Sequence, residues 1–149
     1  MDGEMKQLSL FDNVANRVAL LDREIKSAMN EACKHFCSRN RVSREEVVDR
    51  MNALALQAGV RLTGGNAKQL SDQILAKWLS PSSPEHMPSH RALAVFCDVV
   101  GSLEPLAVQA AVHGGTVIDE SQRLRLEQAE VEDQIKALQR RKKQLESIR

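Results

Sequence analysis

The sequence predicts an all-α protein: a helical domain followed by one long, separate helix. Three observations carry that expectation. Apolar residues recur at three- and four-residue spacing along most of the chain, the signature of amphipathic helices. Aromatic residues make up only 3%, with no Tyr and one Trp, whereas strands favour β-branched and aromatic side chains. Between Asp119 and Arg149 there is no Gly, no Pro and no aromatic residue, so nothing interrupts a helix there.

Residues 1–14 lack a helical period and read as a flexible tail, although Leu8, Leu10 and Phe11 make its middle apolar. From Asn16 the pattern changes. Val18, Leu21, Ile25, Ala28, Met29, Ala32 and Phe36 form one stripe, which predicts a first helix to about Ser38. Ser43 followed by Glu46 is a capping-box pattern opening a second helix, with Val47, Val48, Met51, Leu54, Ala55 and Ala58 on its inner side. Gly59 stands where a left-handed residue closes a helix. Val60 to Gly65 reads as a loop with Gly64-Gly65 its most flexible point.

A third, short helix places Leu70, Ile74, Leu75 and Trp78 on one side and Asp72, Gln73, Ala76 and Lys77 on the other, with Asn66 or Ser71 as its cap. Pro81, Pro84 and Pro88 then exclude helix through Ser80 to Ser89. A fourth helix turns Leu93, Phe96, Val99 and Val100 inward and stops at Gly101. Ser102 is expected to cap a fifth, with Pro105 tolerated in its first turn and Gly114-Gly115 ending it. Three regions follow: the tail over 1–14, a helical domain over 15–115, and a C-terminal helix within 116–149.

Charge is nearly balanced, with 21 Lys and Arg against 20 Asp and Glu, which excludes a nonspecific polycationic binder. The distribution is uneven. Residues 81–118 carry one basic and three acidic groups and are expected to be core, whereas 119–149 carry eight and seven. Three cysteines, Cys33, Cys37 and Cys97, suit neither a disulfide framework nor a four-ligand zinc site. The longest apolar run, Ala92 to Cys97, is far short of the roughly 20 residues of a membrane span. Neither that run nor the N-terminus indicates export, so a cytoplasmic protein is expected, with no membrane partner.

No enzymatic signature emerges. His35, His86, His90 and His113 fall on different elements, and no nucleophile-elbow, Walker or dinucleotide pattern is present. Gly64-Gly65-Asn66-Ala67-Lys68 lacks the strand and spacing of a phosphate loop. Cys33 and Cys37 share one helical face while His35 points away, which favours buried thiols near Phe36 over a metal site. No reaction, no metal and no cofactor are expected.

The middle of the chain has another character: a capped helix, a turn, a short helix with a polar outer face, then two packing helices. Ser43 to Met51, Ser71 to Leu79, Pro88 and Ala94 to Gly101 together resemble the lambda-repressor-like helix-turn-helix family of transcriptional regulators. The arrangement is also similar to small early proteins of Mu-like transposable bacteriophages. The resemblance spans about residues 40–115, with the helix-turn-helix-like core over about 43–115, and lies in order and spacing. It departs from the family between Gly59 and Leu70, which is longer than the family's turn. It implies a sequence-specific regulator of phage or prophage transcription on double-stranded DNA. Carried onto this chain, Ser71, Gln73 and Lys77 would face the groove with Lys68 and Gln69 just before them, and Arg44 would contact the backbone. Gln can read an adenine edge with two hydrogen bonds, and Lys can reach guanine or phosphate.

Two further signals concern partners. Gln7-Leu8-Ser9-Leu10-Phe11 resembles the short peptide by which bacterial replication and repair proteins dock on the polymerase sliding clamp: a glutamine for the pocket rim and Leu10-Phe11 for an apolar hole. In the last segment Leu124, Val131, Leu138 and Leu145 recur every seven residues, position d of a heptad. The a positions are Ser121, Gln128, Ile135 and Lys142, so Leu124, Val131, Ile135, Leu138 and Leu145 are the expected seam of a short coiled coil and a homodimer. The alternative is a non-catalytic interaction or scaffold protein that docks on the clamp through its N-terminal peptide, with Arg140 to Lys143 also meeting a partner.

Overall fold

The computed structural model describes the backbone of residues 2–148 and the side chains of residues 14–148. Among the described residues it is all helix, without a strand: α1 (Asp2–Asn40), α2 (Arg44–Ala58), α3 (Asp72–Leu79), α4 (His90–Val100), α5 (Glu104–Ala111) and α6 (Glu120–Ser147). The chain divides into two units, Met1–Thr116 and Val117–Arg149.

The first helix begins at Asp2 rather than near Asn16, so the expected tail is helical backbone. Met5, Lys6, Gln7, Leu8 and Leu10 are good helix formers without a proline among them, and propensity prevails where amphipathic spacing is missing. The helix ends at Arg41, which adopts the left-handed conformation with φ 55°, while the Val42 N–H donates to the Cys37 carbonyl at 3.1 Å.

The capping box expected at Ser43 and Glu46 does not form. Ser43 occupies the N-cap with no side-chain hydrogen bond. The Glu46 carboxylate instead accepts from Arg50, one turn on, at 3.1 Å. Gly59 closes α2 as expected, at φ 68°, a conformation that costs a side chain more than it costs glycine. Ser71 rather than Asn66 caps α3, its hydroxyl accepting from the Ile74 N–H at 3.2 Å. Ser89 caps α4 in the same way. The fifth helix is shifted by one residue: Leu103 is its N-cap, and the Ser102 hydroxyl accepts from the Glu104 N–H just outside.

One core joins the first five helices. Ile25, Met29 and Cys33 of α1 meet Val47, Val48, Met51 and Ala55 of α2, Leu75, Trp78 and Leu79 of α3, and Ala92, Leu93, Phe96 and Val100 of α4. Met29, Val47, Met51, Leu75 and Phe96 are completely shielded from solvent. Truncating such a side chain to Ala costs about 2–5 kcal/mol. The α1 helix also packs along α5, and α2 along α4. The block expected to be core contains all of α4, but Val99 is only half-buried.

The stretch between α2 and α3 is organised, contrary to its reading as a loose loop. Leu62 and Leu70 are buried in the core. The Asn52 side-chain amide makes a two-way bridge with Leu70, donating to its carbonyl and accepting from its N–H, both at 2.9 Å. Arg61 donates to the Gly65 and Ala67 carbonyls at 3.1 and 2.6 Å, and the Thr63 hydroxyl also reaches Ala67. These bonds cross the Gly64-Gly65 turn.

Candidate nucleic-acid interface

Eight residues make α3, and their two faces differ sharply. Leu75, Trp78 and Leu79 are buried, while Gln73 and Lys77 stand exposed one turn apart on the same strip. Lys68 and Gln69 are exposed in the segment leading into Ser71. Ser71 is exposed too, but its oxygen is engaged as the cap of α3. Trp78 belongs to the core.

Beside this strip lies an open groove of about 860 Å³. Its floor includes Ile74, Trp78 and Met87, and its rim carries Arg61, His90 and Arg91. Arg61 is held by the loop carbonyls, whereas Lys68, Lys77 and Arg91 take part in no ion pair among the described residues. Sequence reasoning missed Arg61, His90 and Arg91. A signal existed for Arg91, the lone Lys or Arg of the sparsely charged block at 81–118.

Arg44 stands apart from the other expected contacts. Its guanidinium grips the Asp72 carboxylate with two bonds, Nε to Oδ1 at 2.6 Å and Nη2 to Oδ2 at 2.8 Å. This fork geometry is the strong form of an ion pair. It ties the first residue of α2 to the first residue of α3, and Arg44 is therefore a structural cation in this state, not one free for phosphate. The bond holds the Asp72 carboxyl below its ordinary value and raises the guanidinium further. Asp72 also complements the N-terminal end of the α3 dipole.

The other end of α3 is fixed from α1. Lys26 is entirely buried, and its ammonium donates to the Lys77 carbonyl at 2.8 Å and to the His86 carbonyl. Burial lowers its pKa, against the opposing pull of Glu85 and Asp22. One cation thus joins α1, the last turn of α3 and the proline-rich connection, and it orients the strip that carries Lys77. Lys26 lies one turn before Met29 and next to Ile25, so its place on the apolar face was legible, but its role was not.

The cysteines are spread through the core. Cys33 and Cys97 are buried and Cys37 half-buried, while His35 is exposed. Burial pushes the Cys33 thiol up to about 12, with Cys37 adding to the effect, and the Cys97 thiol up to about 11. Among the described residues no three His, Cys, Asp or Glu side chains gather as a metal site.

The expected clamp peptide, Gln7 to Phe11, lies outside the described side chains. In the second unit α6 is capped by a complete box, Asp119 accepting from the Gln122 N–H at 2.8 Å and Gln122 from the Asp119 N–H at 2.9 Å. None of its residues is buried, and Leu124, Val131, Ile135, Leu138 and Leu145 are 48–66% exposed. Among the described residues no helix is long and apolar enough to cross a membrane. No family model, curated protein or solved structure matches the chain.

Proposed function

We propose that the chain is a sequence-specific DNA-binding protein, a phage or prophage transcriptional regulator that acts as a homodimer through α6. The observation that carries this reading is the division of α3 into a buried face and an exposed Gln73–Lys77 strip beside a groove rimmed by Arg61, His90 and Arg91. An eight-residue helix is roughly 12 Å long, about the width of the major groove. Gln73 is suited to an adenine edge and Lys77 to guanine or phosphate. Lys68 and Arg91 supply phosphate contacts on either side of the strip, the role the sequence assigned to Arg44. With Lys68, Lys77 and Arg91 as the cations around this strip that are in no ion pair among the described residues, affinity depends on placed residues and not on bulk charge.

The test is fluorescence anisotropy on a labelled duplex from the region upstream of the protein's own gene. Two copies neutralising about six phosphates give a slope of log K against log salt near −5. Replacing both Gln73 and Lys77 by Ala is expected to remove discrimination between this duplex and a scrambled one. Retained discrimination in that variant overturns the site. No binding by the wild type at low salt overturns the function.

A further inference from the structure

The heptad of α6 leaves open how two copies would pair, and its composition decides between the two orientations. In a parallel pair each layer repeats the same residue, so Ser121, Gln128 and Lys142 would each face their own copy. Three of the four a layers would be polar on both sides, and one would bring two ammonium groups together. In an antiparallel pair every a residue faces a d residue instead. Setting Ile135 against the second copy's Val131 also sets Gln128 against Leu138, Leu124 against Lys142 and Ser121 against Leu145. Each layer then holds at least one large apolar side chain, and the lysine stem can lie along a leucine with its head in water.

Charge points the same way. Residues 120–133 carry five acidic and two basic groups, and residues 134–147 carry one acidic and five basic. Antiparallel pairing lays the acidic half of each helix on the basic half of the other. The flanking positions are mixed in either orientation, yet one of them separates the two. Glu127 meets Arg141 of the second copy in the antiparallel pair and Glu132 in the parallel one.

We infer that α6 is a self-recognition surface whose partner is an antiparallel second copy, with the Ile135–Val131 contact at its centre. This inference rests on the dimeric part of the proposed function. Sedimentation equilibrium of the full chain tests both and keeps them distinct. Glu127→Arg is expected to weaken the dimer roughly three- to tenfold, because two symmetry-related ion pairs become repulsive. The double variant Glu127→Arg with Arg141→Glu is expected to restore it, and circular dichroism checks that α6 stays helical. Tightening by Glu127→Arg, or no change, overturns the antiparallel orientation while leaving the dimer. A wild type that stays monomeric at tens of micromolar overturns the dimer itself.

Discussion

Replacing Asp72 by Asn should move stability and DNA affinity in opposite directions. The variant loses a two-bond ion pair whose side chains are 44% and 37% exposed, so the pair is worth about 0.5–1 kcal/mol rather than the several of a buried one. It also loses the only acidic residue in the first turn of α3, worth about 0.3–1 kcal/mol against the helix dipole. A total near 1–2 kcal/mol lowers the melting temperature of a unit this size by roughly 4–8 °C. The wild-type advantage should itself depend on pH. Asp72 has a folded pKa below 3.8, so its contribution is full above that value and is lost as pH falls through the folded value. The freed Arg44 guanidinium then becomes available to phosphate, and one anion disappears from the end of α3. Each added phosphate contact steepens the salt slope by about 0.9, hence about 1.8 for a dimer. Calorimetry and salt-dependent anisotropy on the same preparations read the two effects. A variant that melts lower but binds DNA with an unchanged or shallower slope refutes the reasoning that Asp72 holds back a phosphate contact.

Two other substitutions or modifications probe how α3 is held. Lys26→Met removes the ammonium from the Lys77 and His86 carbonyls. Lys77 keeps a bond from the Ser80 N–H at 3.3 Å, while His86 is stranded, so a loss of about 1–3 kcal/mol in urea unfolding is expected, with faster exchange of amides near His86. Because burial lowers the Lys26 pKa, wild-type stability should rise with pH between the folded value and 10.5, and that rise should be missing in the variant. Of the three thiols, Cys37 alone should react with iodoacetamide at pH 8 in the folded protein, since Cys33 and Cys97 are shielded and held as thiols. Mass spectrometry of the alkylated chain reads this, and early modification of Cys97 would contradict the packing of α4.

The helices were legible where a local rule alone determines them. Gly59 and Gly101 ended α2 and α4, and the spacing of Leu75 with Trp78 gave the buried face of α3. Rules that depend on a competing partner failed. Glu46 had the right spacing for a capping box, but Arg50 lies one turn away and takes its carboxylate. Arg44 was expected to contact the phosphate backbone, and in the fold its guanidinium is paired with Asp72, 28 residues on. The same holds for Asn52 and Leu70, 18 residues apart, and for Lys26 with Lys77, 51 apart. A residue's chemistry can be read from its type, but which partner satisfies it is a property of the fold. The loop at 59–71 shows the consequence. Glycines suggested mobility, whereas buried leucines and three hydrogen-bonding side chains make it a fixed strut under α3.

The orientation of α6 bears directly on what DNA such a protein would recognise. In the antiparallel register Ser121 of each copy lies opposite Leu145 of the other, so the N-terminal ends of the two helices are separated along the pair by roughly 36 Å. In a parallel pair the same ends would lie about 10 Å apart, the spacing of packed helix axes. Two-fold regulators of the helix-turn-helix type contact half-sites about 34–36 Å apart, one turn of DNA. The antiparallel arrangement would therefore set the N-terminal ends of the two α6 helices at a separation of the same order as that spacing. Under the proposed function it would also make DNA affinity sensitive to dimerisation. One copy would bring few cations at the α3 strip, and only the linked pair would gain from the high effective concentration of the second once the first is bound. A substitution on α6 that never touches DNA, such as Glu127→Arg, should then lower affinity for a paired site while leaving affinity for an isolated half-site unchanged.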